Sequence, residues 1–247
     1  SIATYESNLL IGYWGEQFVG RVDEVRLWNI ARTQTDIQTT MDNILTGHES
    51  GLVGYWNFDD GTVRDLSLNH NDGILHDDAS IGYEIFVSPS GNDANDGSKA
   101  NPFRTIQYAI DQSGRGDIIT ALPGTYEENI TIVSDLVVQG SGVDTTIITA
   151  SSGNVVTANN VHNVLLSDFT IDGQGTADRG ILCSGATSAT EIRRNTITNS
   201  TRGIYCTDSA EPLIEENTIC QNIEDGIYCA ETSHVVVDRN EIKVYYH

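Results

Sequence analysis

A repeat of about 23 residues dominates the second half of the chain and limits its fold more than any other feature. Gly180-Ile-Leu-Cys183, Gly203-Ile-Tyr-Cys206 and Gly226-Ile-Tyr-Cys229 recur at 23-residue intervals. A second phase, Phe169-Thr-Ile171, Asn195-Thr-Ile197, Asn217-Thr-Ile219 and Asn240-Glu-Ile242, recurs at intervals of 26, 22 and 23. A unit this short holds two or three alternating strands and cannot close a core alone, so it is stable only when stacked on its neighbours. The period predicts coils of a parallel β-helix stacked about 4.8 Å apart.

Alternation along each strand places Ile181, Ile204 and Ile227 inward together with Cys183, Cys206 and Cys229, and turns Leu182, Tyr205 and Tyr228 outward. Asn195, Asn217 and Asn240 are expected to form a side-chain ladder at a turn. Before them run Asp168, Arg194, Glu216 and Arg239, and before those Ser167, Arg193, Glu215 and Asp238, so opposite charges fall on neighbouring rungs. Cross-strand pairs of this kind set register and contribute roughly 0.2–1 kcal/mol each.

Upstream, Glu84-Ile-Phe-Val87 reads as a strand, an Asp- and Asn-rich turn follows to Gly97, and Asn101-Pro-Phe-Arg-Thr-Ile-Gln-Tyr-Ala-Ile110 reads as a short helix. Asn101 is the expected cap, with Phe103, Ile106 and Ile110 on one apolar face. The Asp-rich loop half-matches a calcium loop, but its required first and third ligands fall on Asn92 and Ala94, which leaves a turn. This stretch resembles the N-terminal opening of pectate-lyase-like β-helix proteins, where such a helix plugs the end of the solenoid.

The first eighty residues follow another pattern. Short apolar runs at Leu9 to Gly12, Val22 to Trp28 and Leu52 to Phe58 read as strands. Thr33 and Asp36 look like a capping box for a helix bearing Ile37, Met41, Ile44 and Leu45, stopped by Gly47. The order Phe18-Val-Gly-Arg-Val-Asp-Glu-Val-Arg-Leu-Trp28, Ala31-Arg-Thr33, Gly51-Leu-Val-Gly-Tyr-Trp-Asn-Phe58 and Asp65-Leu-Ser-Leu-Asn-His-Asn-Asp-Gly73 resembles the laminin-G/pentraxin-like group of concanavalin-type lectin folds. It covers about half of the eight-strand jelly roll of that group. The resemblance implies glycan binding, often with Ca²⁺; Asp59, Asp60, Asp65, Asn69 and Asp72 carry the hard oxygen donors Ca²⁺ takes, and equally the acceptors that Asx turns use.

The expected fold is therefore all-β: a jelly-roll fragment over 1–80, an opening strand and capping helix over 81–128, and β-helix coils over 129–247. The chain starts at Ser1 and its last repeat is cut at Val237 to Lys243 without a cap, so further coils are expected past His247.

Thirteen basic against thirty-five acidic residues give a formal charge of −22, which repels nucleic acid and anionic membrane surfaces. No apolar run reaches the ~20 residues a membrane span requires. The richness in Gly, Asn, Asp, Ser and Thr points to an extracellular or cell-surface protein. Four cysteines allow pairing, but three of them share one repeat position and read first as a packed stack.

Polysaccharide lyases on this fold set an Arg or Lys base beside carboxylates that hold Ca²⁺, and inverting glycosidases set two carboxylates ~6.5–9.5 Å apart. Here the Asp168, Arg193, Arg194, Glu215 and Glu216 face alternates acids and bases, and neither a Gly-His-Gly turn nor an Asp-Pro-His run is present. His162 and His234 precede strands and read as surface residues. Tyr205 and Tyr228, flanked by Arg202, Asp208, Glu224 and Asp225, offer aromatic surfaces for sugar rings; with Asp168, Arg194 and Glu216 they are the candidate ligand-binding residues. No catalytic residue is assigned. The reading is a non-catalytic glycan-binding or adhesion module, against two alternatives: the opening of a lyase or hydrolase with catalytic coils farther on, or a subunit that self-assembles through the uncapped end. Asn129-Ile-Thr131 and Asn199-Ser-Thr201 match the N-glycosylation pattern.

Overall fold

The structure is a computed structural model that describes residues 9–11, 22–41, 43–59, 61–76, 79–230 and 232–243. It divides into two compact units, 1–78 and 79–247.

In the first unit, β1 (Val25–Trp28) pairs antiparallel with β2 (Leu52–Trp56), and α1 (Gln34–Thr40) lies between them in sequence. Leu45, Leu52 and Tyr55 form a small core with Trp28 and Leu66 packed against it. Leu9, Leu10 and Ile11 are not in a strand. The described residues of this unit hold one two-stranded sheet; the two facing sheets of a jelly roll are not among them.

The Thr33/Asp36 capping box is present, but the helix stops at Thr40, short of Ile44 and Leu45. Its last carbonyls are taken early: Asn43 Nδ2 donates to Thr39 O and Arg26 Nη1 to Thr40 O, at 2.7 and 2.6 Å. Of the four apolar residues expected to line one face, Leu45 is buried, while Ile37, Met41 and Ile44 are exposed.

The second unit is a parallel β-solenoid whose coils contribute strands to three columns. The first column runs from β3 (Glu84–Val87) through Ile118–Ala121, Val137–Gly140, Val164–Ser167, Thr190–Arg193, Leu213–Glu215 and Val236–Asp238. The second begins at Gly124–Glu127 and Thr146–Thr149 and ends at Thr218–Cys220 and Glu241–Lys243. The third begins at Ile130–Ile132 and ends at Ile227–Cys229. In the middle coils, the long strands Thr170–Ser184 and Thr196–Thr207 run through both the second and third columns.

Equivalent residues stack in register, as the repeat requires. One inward row of the second column is Tyr126, Ile148, Ile171, Ile197, Ile219 and Ile242. In the third, Ile130, Val156, Ile181, Ile204 and Ile227 form one row and Ile132, Ala158, Cys183, Cys206 and Cys229 another. The 26-residue interval comes from a register shift between Asp172 and Ala177, where Gln174 to Thr176 are exposed and the Gln174 N–H donates to Asp172 Oδ1 at 2.8 Å.

The capping helix α2 (Ile106–Gln112) buries Ile106, Ala109 and Ile110 against the end of the core. Its N-cap is Thr105 rather than Asn101. Phe103 is held extended by a parallel bridge to Val87 and by ladder bonds with Phe86 and Ser88, so the helix cannot begin at Pro102. Asp93 then accepts from the Arg104 and Thr105 N–H groups at 2.7 and 3.0 Å. The Asp-rich loop is a run of turns: Asn92 Oδ1 accepts from Ala94 N and Asp96 Oδ1 from Ser98 N.

The asparagine ladder lies at the turn from first to second column. Asn217 Oδ1 accepts from Asn195 N, and Asn240 Oδ1 from Asn217 N, both at 2.9 Å. The Asn217 amide donates to Ile192 O in the coil before and to Glu215 O in its own. These buried side chains satisfy backbone groups that a bend would otherwise leave unpaired, a cost of about 1–3 kcal/mol per group.

Candidate ligand-binding face

The third column exposes outward rows alongside its inward ones. One runs Asn154, Arg179, Arg202; the next runs Thr131, Thr157, Leu182, Tyr205, Tyr228. In-register stacking brings Tyr205 and Tyr228 face to face, 5.1 Å between centroids and 7° from parallel. Arg179 covers the other face of Tyr205, its guanidinium carbon 4.4 Å from the ring centre. Tyr205 is therefore sandwiched. The ring faces expected to receive sugars are used by the stack, apart from the far face of Tyr228, which is 41% exposed.

Two arginines flank this stack in different states. Arg202 pairs with Glu224 and with Asp225, and the Asp225 hydrogen bond raises its pKa. Arg179 donates from Nη1 to Asn154 Oδ1 at 3.2 Å, forms no ion pair among the described residues, and has a buried Nε without a partner. The repeat carries a signal for Arg179: it precedes Gly180 as Arg202 precedes Gly203 and Asp225 precedes Gly226.

Asp168, Arg194 and Glu216 lie elsewhere, in the turn between the first and second columns, each with positive φ. Arg194 grips Asp168 with two bonds of 2.9 Å. Burial favours the neutral acid at Asp168, yet hydrogen bonds from Arg194 and Ser167 outweigh it and hold the carboxyl below its usual range. Arg239 bridges Glu215 and Glu216 at 2.8 and 3.1 Å, and Arg193 pairs with Glu215 at 2.9 Å. No hydrogen bond, ion pair or ring contact joins this network to Tyr205 or Tyr228 among the described residues, so the five candidates form two separate groups.

Among the described residues, four of the five candidate metal ligands are taken up in hydrogen bonds with neighbouring groups. Asp60 lies outside the described residues. Asp65 is fully buried and accepts from Tyr55 N, Ser67 N, Ser67 Oγ and Asn71 N. Burial opposes its charge, and these donors together keep its pKa low. Asp72 accepts from Asp65 N, Asn69 donates to Val53 O, and Asp59 accepts from Asn57. Among the described residues no three His, Cys, Asp or Glu side chains are grouped to hold a metal ion.

A polar cleft of about 260 Å³ opens between the second and third columns, lined by residues including Glu127, Asn129, Ser152 and Gln174. Glu128 borders it with its carboxylate turned to α2, accepting from Ile106 N and Gln107 N at 2.8 and 2.9 Å. Desolvation outweighs those bonds and, with Asp93 nearby, raises its pKa. Asn129 Nδ2 donates to Ser152 O and Asn154 O, and Asn199 Nδ2 to Asp172, so the amide nitrogens of both glycosylation motifs are engaged. His162 is exposed and bonded to Ser134.

Stacked coils, an asparagine ladder and a helical plug make a parallel β-solenoid that resembles the pectate-lyase-like β-helix proteins. The chain belongs to the family described as Protein of unknown function (DUF1565), whose profile matches residues 89–244. A 48-residue stretch is 38% identical to the uncharacterized protein YwoF of Bacillus subtilis (strain 168), 19% of this chain and 10% of that one; the match thus spans about a tenth of that relative. An alginate lyase from Paenibacillus sp. str. FPU-7 shares the fold over 66% of this chain and 58% of its own, with a TM-score of 0.53 and 15% identity. Carrot pectin methylesterase overlaps 67% of this chain and 54% of its own, with a TM-score of 0.47 and 17% identity.

Proposed function

We propose that the β-helix is an extracellular, non-catalytic carbohydrate-binding module that takes a glycan on the outward face of its third column. The observation that carries this reading is the in-register stack of Tyr205 and Tyr228, capped by Arg179 on one side and leaving Tyr228 exposed on the other. Tyr228 offers an apolar ring face at the open end of the stack, and the ring edges carry phenol hydroxyls, the mixed surface a pyranose needs. The ion-paired state of Arg193, Arg194 and Glu215 favours binding over acid–base chemistry at the charged turn. That the Paenibacillus protein of the same fold is an alginate lyase supports a carbohydrate setting, as does the lectin-like motif order of residues 9–75.

The test is retention on a panel of immobilised polysaccharides, neutral and acidic, with product analysis of the supernatant. Arg179→Gln, which uncaps the stack, and Tyr228→Ala, which removes its exposed ring, are each expected to weaken retention about tenfold, on the order of 1.4 kcal/mol. Retention indifferent to both variants overturns the proposed face. Shortened polymer in the supernatant replaces the binding reading with the lyase or hydrolase alternative.

A further inference from the structure

The inward row Cys183, Cys206 and Cys229 places three free thiols on consecutive rungs of the third column. Cys183 and Cys206 are fully buried and Cys229 is exposed. Adjacent rungs lie about 4.8 Å apart, and in-register side chains leave the backbone in the same direction, so their Cβ atoms keep nearly that separation. A disulfide needs Cβ atoms roughly 3.5–4.5 Å apart and sulfurs about 2.05 Å apart. Rungs tied by backbone hydrogen bonds on both sides of Cys206 resist that approach, and the three thiols are free.

The same spacing suits a different bond. With metal–sulfur bonds of about 2.3 Å, two thiolates facing each other across a linear ion lie about 4.6 Å apart, close to the rung repeat. Soft thiolate pairs select soft cations such as Cu(I). The absence of any three-ligand cluster among the described residues disfavours tetrahedral ions and leaves the two-coordinate arrangement to the thiol column.

We propose that Cys206 and Cys229 form a two-coordinate site for a soft d10 cation of the Cu(I) class. Each thiol gives its proton to solvent, two metal–sulfur bonds form, and no group changes oxidation state. Cys206 belongs to both neighbouring pairs, so the column holds one ion. The interaction with Cys183, burial and the interaction with Cys229 bear on Cys206, whose net pKa is raised; the metal therefore displaces protons that are firmly held at neutral pH.

Cys220 supplies the internal control. It lies outside the column, on the second column, with its Sγ 3.7 Å from Thr198 Oγ1. The experiment titrates the full chain, reduced, with Ag⁺ as a redox-inert probe, following bound metal and released protons in weak buffer. The expected result is one tightly bound ion per chain with two protons released. Cys206→Ser and Cys229→Ser are expected to weaken binding by at least a hundredfold and Cys220→Ser to leave it unchanged. Cys229 is exposed, so its variant tests the site even where Cys206→Ser fails to fold. One proton per bound ion, or equal behaviour of Cys229→Ser and Cys220→Ser, overturns the proposal.

Discussion

The two units solve the same problem of satisfying bent backbone in opposite ways. In the first, one carboxylate, Asp65, accepts from three backbone N–H groups and a hydroxyl. In the solenoid, Asn195, Asn217 and Asn240 each bond the coil before them, so the work is spread along a column. A concentrated solution fails at one residue; a distributed one fails by rungs.

The largest expected effect follows from this contrast. Asp65→Ala strands the buried Tyr55 and Ser67 N–H groups, about 1–3 kcal/mol each, and is expected to cost the first unit roughly 3–5 kcal/mol. Near-ultraviolet circular dichroism from Trp28 and Trp56 should collapse while far-ultraviolet strand signal persists. Simultaneous loss of both signals breaks the comparison.

Asn217→Ala comes next. It removes an amide bonded on both sides, and about 2–4 kcal/mol of solenoid stability should go with it. Asn240 at the last described rung serves one neighbour, so Asn240→Ala should cost about 1 kcal/mol. Equal effects in urea unfolding show that position along the column does not matter.

Acid separates the units further. Asp65 has a lowered folded pKa: its stabilisation is present above the ordinary carboxylate value, ~3.9, and is lost as pH falls towards the folded value. Glu128 has a raised one: its contribution is present below the ordinary value and lost as pH rises through the folded value. Mild acid should therefore raise the amide protection factors at the start of α2 while stronger acid loosens the first unit, and Glu128→Gln should abolish the first response alone. Lower protection factors of α2 in mild acid in the wild type contradict the assigned burial of Glu128.

The smallest effect belongs to Arg194→Ala. Its bidentate pair with Asp168 is partly solvated, so a loss of at most about 1 kcal/mol, shrinking with added salt, is expected in thermal melts.

The repeat made the solenoid legible because one period fixes inward rows, outward rows and turns together: the isoleucine rows, the cysteine stack and the asparagine ladder all fall where alternation puts them. Legibility ended where tertiary contacts override local pattern. Pro102 and Phe103 look like a helix start, yet bonding to Phe86, Val87 and Ser88 draws them into extended backbone. Ile37, Met41 and Ile44 have helical spacing, but Arg26 and Asn43 end the helix before the pattern does. Alternation showed that Tyr205 and Tyr228 face outward; it carried no information that their faces meet, nor that Arg179 lies over the first of them.

The turn before the asparagine ladder gives coil stacking an error check. Asp168, Arg194, Glu216 and Arg239 repeat one left-handed backbone conformation while their charge changes sign at every step. A chain that folds with one coil skipped or swapped in from another molecule keeps its isoleucines stacked and its apolar core almost unchanged. It then sets Asp168 against Glu216, or Arg194 against Arg239, so the parity of the charges distinguishes a shift of one coil that the hydrophobic rows accept.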